Sequence, residues 1–297
     1  MKRTLICIVC LVLTVCFLSG CAPTAPADIA ATTMPVYTFT QALCAGTPLT
    51  VARLITQDIA CLHDYTLNVD QVKTAEAARF IVISGVGLED SFLQGLLIED
   101  KLIDASEGIS LLCPGEEDHE DHEAHDHHGH THDTDPHIWL DPENAMVMAE
   151  NICRGLSLRY PQYRETFEEN LRLLLEELDA LLLYGRENLS SLACREMITF
   201  HDGFAYFAGA FDLTILEAVE EESGSEASAR ELIHLISLTS SHGLPAVFTE
   251  VNSSASAADV IARETGAAVF QLDMAMSGNS YFDAMYHNIS TVKEALG

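Results

Sequence analysis

Basic residues are scarce in this chain: Lys and Arg total 15 against 45 Asp and Glu, a formal charge of −30 over 297 residues. A phosphate backbone needs a cationic face, so nucleic acid is excluded as a partner. The same imbalance suits a protein that gathers cations through a long-range field. Long apolar runs are equally scarce. Beyond Leu5–Leu18, no segment is long and apolar enough to span a bilayer. There is no CxxC pair. Downstream of Cys21 the cysteines are Cys44, Cys61, Cys113, Cys153 and Cys194, an odd set that leaves at least one thiol unpaired within the chain. HExxH is also missing, which removes the helical zinc-protease signature.

What is present begins with an export signal. Lys2 and Arg3 precede the apolar run, and Leu18-Ser19-Gly20-Cys21 matches a bacterial lipobox. Residues 1–20 are expected to be removed as a signal peptide. Cys21 is expected to carry lipid, and 21–34, rich in Ala, Pro and Thr, to form a tether. That places the chain on the extracytoplasmic face of a bacterial cell membrane, held there by its lipid anchor.

About 275 residues then remain, enough for two lobes. Leu49–Ile55, Phe80–Ser84 and Ile109–Leu112 read as strands in the first half, and Val69–Ala78, Leu88–Glu99 and Pro142–Leu156 as helices. In the second half, Met197–Phe200, Leu213–Leu216, Ala246–Glu250 and Ala268–Leu272 read as strands. Helices are predicted near Gly203–Ala210, Ser228–Ser240, Ala255–Thr265 and Tyr281–Leu296. Alternation of this kind predicts an α/β fold of two lobes, each a mainly parallel sheet flanked by helices. The domains predicted are an N-terminal lobe over 35–156, an interlobe helix over 157–189 and a C-terminal lobe over 190–297. Phe167, Leu171, Leu174, Leu178 and Leu182 stripe the long helix, and Leu173, Leu175, Leu181 and Leu183 widen the stripe, which predicts burial on more than one side. A stiff helix of this length would join the lobes and leave a cleft between them as the ligand site.

Histidine is concentrated in one acidic stretch within the predicted loop 116–133. His119, His122, His125, His127, His128, His130 and His132 alternate there with Asp and Glu. Neutral imidazole is the commonest ligand of borderline divalent metals, so the run reads as a loose auxiliary trap. His137 follows in a different setting, Asp135-Pro136-His137-Ile138-Trp139-Leu140-Asp141-Pro142, where apolar residues and a helix start fix its position. His63 and His201 are predicted to lie just past strands, and so is Asp273. In parallel sheets, ligands collect beyond the carboxyl ends of strands. Four such residues, two per half, could meet only in the cleft. Water or one of Glu220, Glu221 and Glu222 is an alternative to Asp273. Asp64, Asp141 and Asp202 read as supporting or capping groups, and His234, His242 and His287 as surface or packing residues.

The motifs His63-Asp64-Tyr65, Gly85-Val86-Gly87-Leu88-Glu89, the octet around His137, His201-Asp202-Gly203-Phe204-Ala205-Tyr206-Phe207 and Phe248-Thr249-Glu250 follow one another in a familiar order. The chain resembles the solute-binding lipoproteins of zinc and manganese ABC transporters, the cluster with a rigid interlobe helix. The resemblance implies that His63, His137, His201 and Asp273 are metal ligands, and that the His-rich loop marks the zinc-preferring branch. It also implies delivery of Zn2+ to an ABC transporter permease, by a chain expected to act as a monomer and not as an enzyme. Three imidazoles and a carboxylate suit tetrahedral Zn2+, whereas Mn2+, the alternative, prefers more oxygen. Two departures stand out: the first strand and helix, around Met34–Leu49, look compressed, and Asp273 lacks the usual following proline.

Other functions compete. A surface zinc buffer or adhesin would use the same ligands without a transporter. A metallo-hydrolase would need a rigid HxHxDH, and His128-Gly129-His130-Thr131-His132-Asp133 swaps its last two residues within a charged run.

Overall fold

The structure is a computed structural model that describes residues 26–56, 65–96, 98–112, 134–219, 227–251, 253–276, 278 and 280–297. The first sheet holds β1 (Ile29–Ala31), β2 (Val51–Arg53), β3 (Phe80–Ile83) and β4 (Leu102–Asp104), in the order β2-β1-β3-β4. The second holds β5 (Glu196–Thr199), β6 (Thr214–Ala218), β7 (Ala246–Glu250) and β8 (Ala268–Leu272), in the order β6-β5-β7-β8. Every pairing is parallel. The interior strands β1 and β7 are buried along their whole length, as parallel sheets covered by helices require.

The first lobe carries the helices α1 (Met34–Leu43), α2 (Val69–Ala77), α3 (Asp90–Leu93) and α4 (Pro142–Arg159). Asn68 caps α2 through a reciprocal capping box with Gln71. Asp141 caps α4 by accepting from Glu143 N at 2.7 Å, with Pro142 at the first helical position. A 3-10 turn at Pro161–Tyr163 leads into α5 (Arg164–Leu189), 26 residues and so about 39 Å long. The second lobe adds α6 (Ala205–Ala210), α7 (Ala229–His242), α8 (Ser256–Thr265) and α9 (Tyr281–Leu296).

The long helix α5 packs against α4, α9 and α1, so it touches both lobes. Its buried face is Phe167, Leu174, Leu178, Leu181, Leu182, Gly185 and Leu189. Leu173 and Leu183 are 50% and 51% exposed, so the helix is buried on one broad face rather than on several sides as predicted. Direct contacts also join the lobes. Phe39 meets Tyr281 edge-on at 5.0 Å. Tyr281 donates to Trp139 O at 2.7 Å, and Trp139 Nε1 donates to Met274 O at 2.8 Å. Both rings are fully buried, and one apolar core runs from the first lobe through α5 into the second.

Several expectations need correction. The tether predicted over 21–34 contains β1, a central strand, and the first lobe begins before residue 35. Small side chains there let neighbouring layers close over both faces, a role that composition does not signal. The first strand and helix are not compressed, because Met34–Leu43 is a full ten-residue helix. Ile109–Leu112 forms no strand. That slot belongs to Leu102–Asp104, in register with Ile81–Ile83. The helix predicted over Leu88–Glu99 shrinks to Asp90–Leu93, closed by Gly95 at φ +86°. Residue 157, the predicted start of the interlobe helix, still belongs to α4. Residues 1–25, with Cys21, lie outside the described residues, as do His63, Cys61, Cys113, the loop histidines and Glu220, Glu221 and Glu222.

Candidate metal centre

His137 precedes a buried 3-10 turn, Ile138–Leu140, wedged between the lobes. Asp135 holds it twice: Oδ1 accepts from His137 N at 2.9 Å and lies 2.8 Å from His137 Nδ1. A carboxylate on Nδ1 fixes the tautomer and leaves Nε2 as the ligand atom, the usual support of a metal-binding imidazole. Tyr206 of α6 reaches across to this corner. It accepts from Leu112 N at 3.0 Å and donates to Asp135 O at 3.3 Å.

His201 sits just past β5, its carbonyl accepting from Thr199 Oγ1 at 3.0 Å. The His137 and His201 rings stand edge to face with centroids 5.4 Å apart. One comes from each lobe. Gly203 lies against both: a Cβ there would come 2.8 Å from His201 Cδ2, 3.0 Å from His137 Cε1 and 2.5 Å from Met274 Cε. Cδ2 adjoins Nε2 of His201 and Cε1 lies between the two nitrogens of His137, so both rings come up to a residue that has no side chain.

Asp273 directly follows β8. Asn288 of α9 clamps its backbone, accepting from Asp273 N and donating to Asp273 O, both at 2.7 Å. Asp273 Oδ1 accepts from Ala275 N at 2.7 Å, an Asx-type turn. Between His201 and Asp273 stands Glu250, the last residue of β7. Its Oε1 is 3.4 Å from His201 Nδ1. Burial, with Asp273 adding repulsion, pushes the Glu250 carboxyl up to about 8.

Of the four residues predicted as ligands, the fold thus pairs His137 with His201 and sets Asp273 beyond Glu250, while His63 lies outside the described residues. Among the described residues, no three His, Cys, Asp or Glu side chains form a group able to hold a metal ion. Asp141 is a helix cap, as expected. His242 pairs with Glu196 at 2.9 Å, His234 faces Glu217 at 3.7 Å, and His287 contacts Gln271 O at 3.1 Å, all away from the pair. Cys44, Cys153 and Cys194 are free thiols. Sequence reasoning missed Asp135, Gly203, Asn288 and Glu250 as supporting residues. Asp135 had a signal, a carboxylate two residues before a histidine. Glu250 had one too, an acid ending an otherwise apolar strand.

Two parallel α/β lobes on a long shared helix, with an imidazole from each meeting between them, define a two-lobed solute-binding protein. The family model described as zinc-uptake complex component A, periplasmic, matches residues 29–295, and the chain belongs to that family. It is 27% identical over 240 residues to a putative metal-binding protein of Treponema pallidum, covering 78% of this chain and 76% of that one. It is 30% identical over 294 residues to the zinc-binding lipoprotein AdcA of Streptococcus pneumoniae, covering 94% of this chain but only 58% of AdcA. A crystal structure of a zinc-bound ZnuA deletion mutant superposes with a TM-score of 0.76 at 29% identity, covering 91% of this chain and 98% of that one.

Proposed function

We propose that this chain is an extracytoplasmic lipoprotein that captures Zn2+ and hands it to the permease of an ABC-type importer. The observation that carries this reading is the His137–His201 pair, one imidazole per lobe, with both rings coming up to Gly203. Imidazole nitrogens suit Zn2+ at about 2.0–2.1 Å. His63 would supply a third imidazole and Asp273 the carboxylate that completes a tetrahedron. Cys21 would anchor the chain to the membrane. His119, His122, His125, His127, His128, His130 and His132 would hold further ions loosely, as a trap that raises the local zinc concentration. The chain acts by binding rather than by catalysis, as a single copy, with zinc as its cargo. Membership of a zinc-uptake family supports the reading. So does the interlobe packing, in which α5 and the Trp139–Tyr281 contacts leave the lobes little freedom to hinge.

The test is the metal content of a variant lacking Glu116–Thr131, purified from mixed trace metals and read by mass spectrometry. The expected result is one tightly held zinc per chain. Manganese in its place, or loss of all tight binding with the loop, overturns the reading.

A further inference from the structure

Glu250 closes a central strand of the second sheet. β7 lies between β5 and β8, and Glu250 is in register with Leu272. The strand on one side leads into His201 and the strand on the other into Asp273, so Glu250 stands between the two second-lobe candidates. Its side chain is buried, and Oε1 finds no hydrogen-bond partner among the described residues. That oxygen is aimed at His201 Nδ1, 3.4 Å away, longer than a formed N–H···O bond. An acid is a costly way to end the buried strand Ala-Val-Phe-Thr, because an unsatisfied carboxyl in a low-dielectric interior destabilises the fold. Asp273 nearby adds repulsion. A group that costs the fold and faces a candidate ligand is best explained by the site.

We infer that Glu250 is a positioning residue for metal capture, its carboxyl accepting from Nδ1–H of His201 and so leaving Nε2 for the ion. This rests on the zinc-capture reading. A neutral imidazole that donates from Nδ1 carries its lone pair on Nε2. The first lobe shows the same device already closed, with Asp135 Oδ1 2.8 Å from His137 Nδ1. At 3.4 Å the Glu250 contact already biases the empty site toward the Nδ1–H tautomer, and ion loading is expected to shorten it.

The experiment uses the full chain with Glu250→Met, which keeps the length and removes both oxygens, and Glu250→Gln, which keeps an acceptor without the charge. Nitrogen-15 NMR reads the His201 tautomer after chelator treatment, dye competition reads zinc affinity, and thermal melting reads stability. Glu250→Met is expected to move His201 toward the Nε2–H tautomer and weaken zinc by about 10- to 100-fold. Its melting temperature should hold or rise, because a buried unsatisfied acid is gone. Glu250→Gln should keep the tautomer and lose less affinity. In a His201→Ala background neither change should weaken zinc further. An unchanged tautomer in Glu250→Met overturns the inference. So does an affinity loss that persists without His201 and tracks a fall in melting temperature. If the unaltered chain takes up no zinc tightly, the capture reading fails, while the tautomer still decides whether Glu250 positions His201.

Discussion

Glu89 and Glu250 are buried acids near the third strand of each sheet order. Glu250 is the last residue of β7, Glu89 lies six residues past the end of β3, and each is 2% exposed. Their surroundings differ. Glu89 accepts from Ser84 N and Thr32 Oγ1 at 2.7 Å and from Gly85 N at 3.0 Å. It stitches β1 to the left-handed turn after β3, where Gly85, Val86 and Gly87 all have positive φ. Glu250 Oε1 has no such donor and points at His201. Burial pushes both acids up, Glu89 to about 7 against its three hydrogen bonds and Glu250 to about 8 with Asp273 beside it. The same residue type, equally buried, therefore serves the fold in one lobe and faces the candidate site in the other. What distinguishes them is the set of donors around the carboxyl, not its depth.

The largest test of this contrast is Glu89→Ala. Three buried donors would lose their acceptor, and unfolding free energy should fall by about 3–5 kcal/mol in urea titrations. Zinc affinity of the folded fraction should hold. A variant that stays stable but binds poorly would erase the distinction between the lobes.

His201→Ala should come next, weakening zinc by more than about 100-fold, beyond what loss of an outer hydrogen-bond partner costs. His234→Ala and His242→Ala should leave dye-competition curves where they are. Equal affinities in all three would remove His201 from the site.

Acid–base behaviour sharpens the same contrast. A carboxyl raised in the folded state binds its proton more tightly there than in the unfolded chain. The stability this confers is fully present below the unfolded value near 4.5 and is lost as pH rises through about 7. For Glu89 the change should be about 2–3 kcal/mol between pH 4.5 and 8. Subtracting the Glu89→Gln profile from that of the unaltered chain isolates it, and parallel profiles would refute it. Zinc affinity should move the other way. It should weaken as pH falls through about 6, because the imidazoles must be neutral to bind.

Gly203→Ala should have the smallest effect. Its Cβ would press on His201, His137 and Met274, so both rings must shift by tenths of an ångström. Zinc affinity should drop by about 10-fold, with an overpacking cost of about 1–3 kcal/mol in stability. A drop in melting temperature with affinity intact would make Gly203 a packing residue rather than the floor of the site.

Much of the second lobe could be read from local pattern. β7, β8 and α9 fall on the predicted bounds, because apolar runs are punctuated there by Pro245, Gly266 and the N-cap Ser280. The edge of the first lobe could not, since β1 is three small or aliphatic residues whose burial comes entirely from neighbours supplied by distant chain. His137 and His201 stand out in the sequence by the motifs around them, since local signals alone mark a strand end and a helix start. Their approach to 5.4 Å, the gap at Gly203 and the station of Glu250 between His201 and Asp273 are decided elsewhere. Residues 201, 250 and 273 become neighbours only because the sheet orders its strands β5-β7-β8. That order is set by which helices cover which faces, a property of the whole packed lobe. The sequence by itself marked candidate residues by their motifs; only the tertiary structure decided which of the described ones meet, because strand order and interlobe packing are long-range contacts that no local spacing encodes.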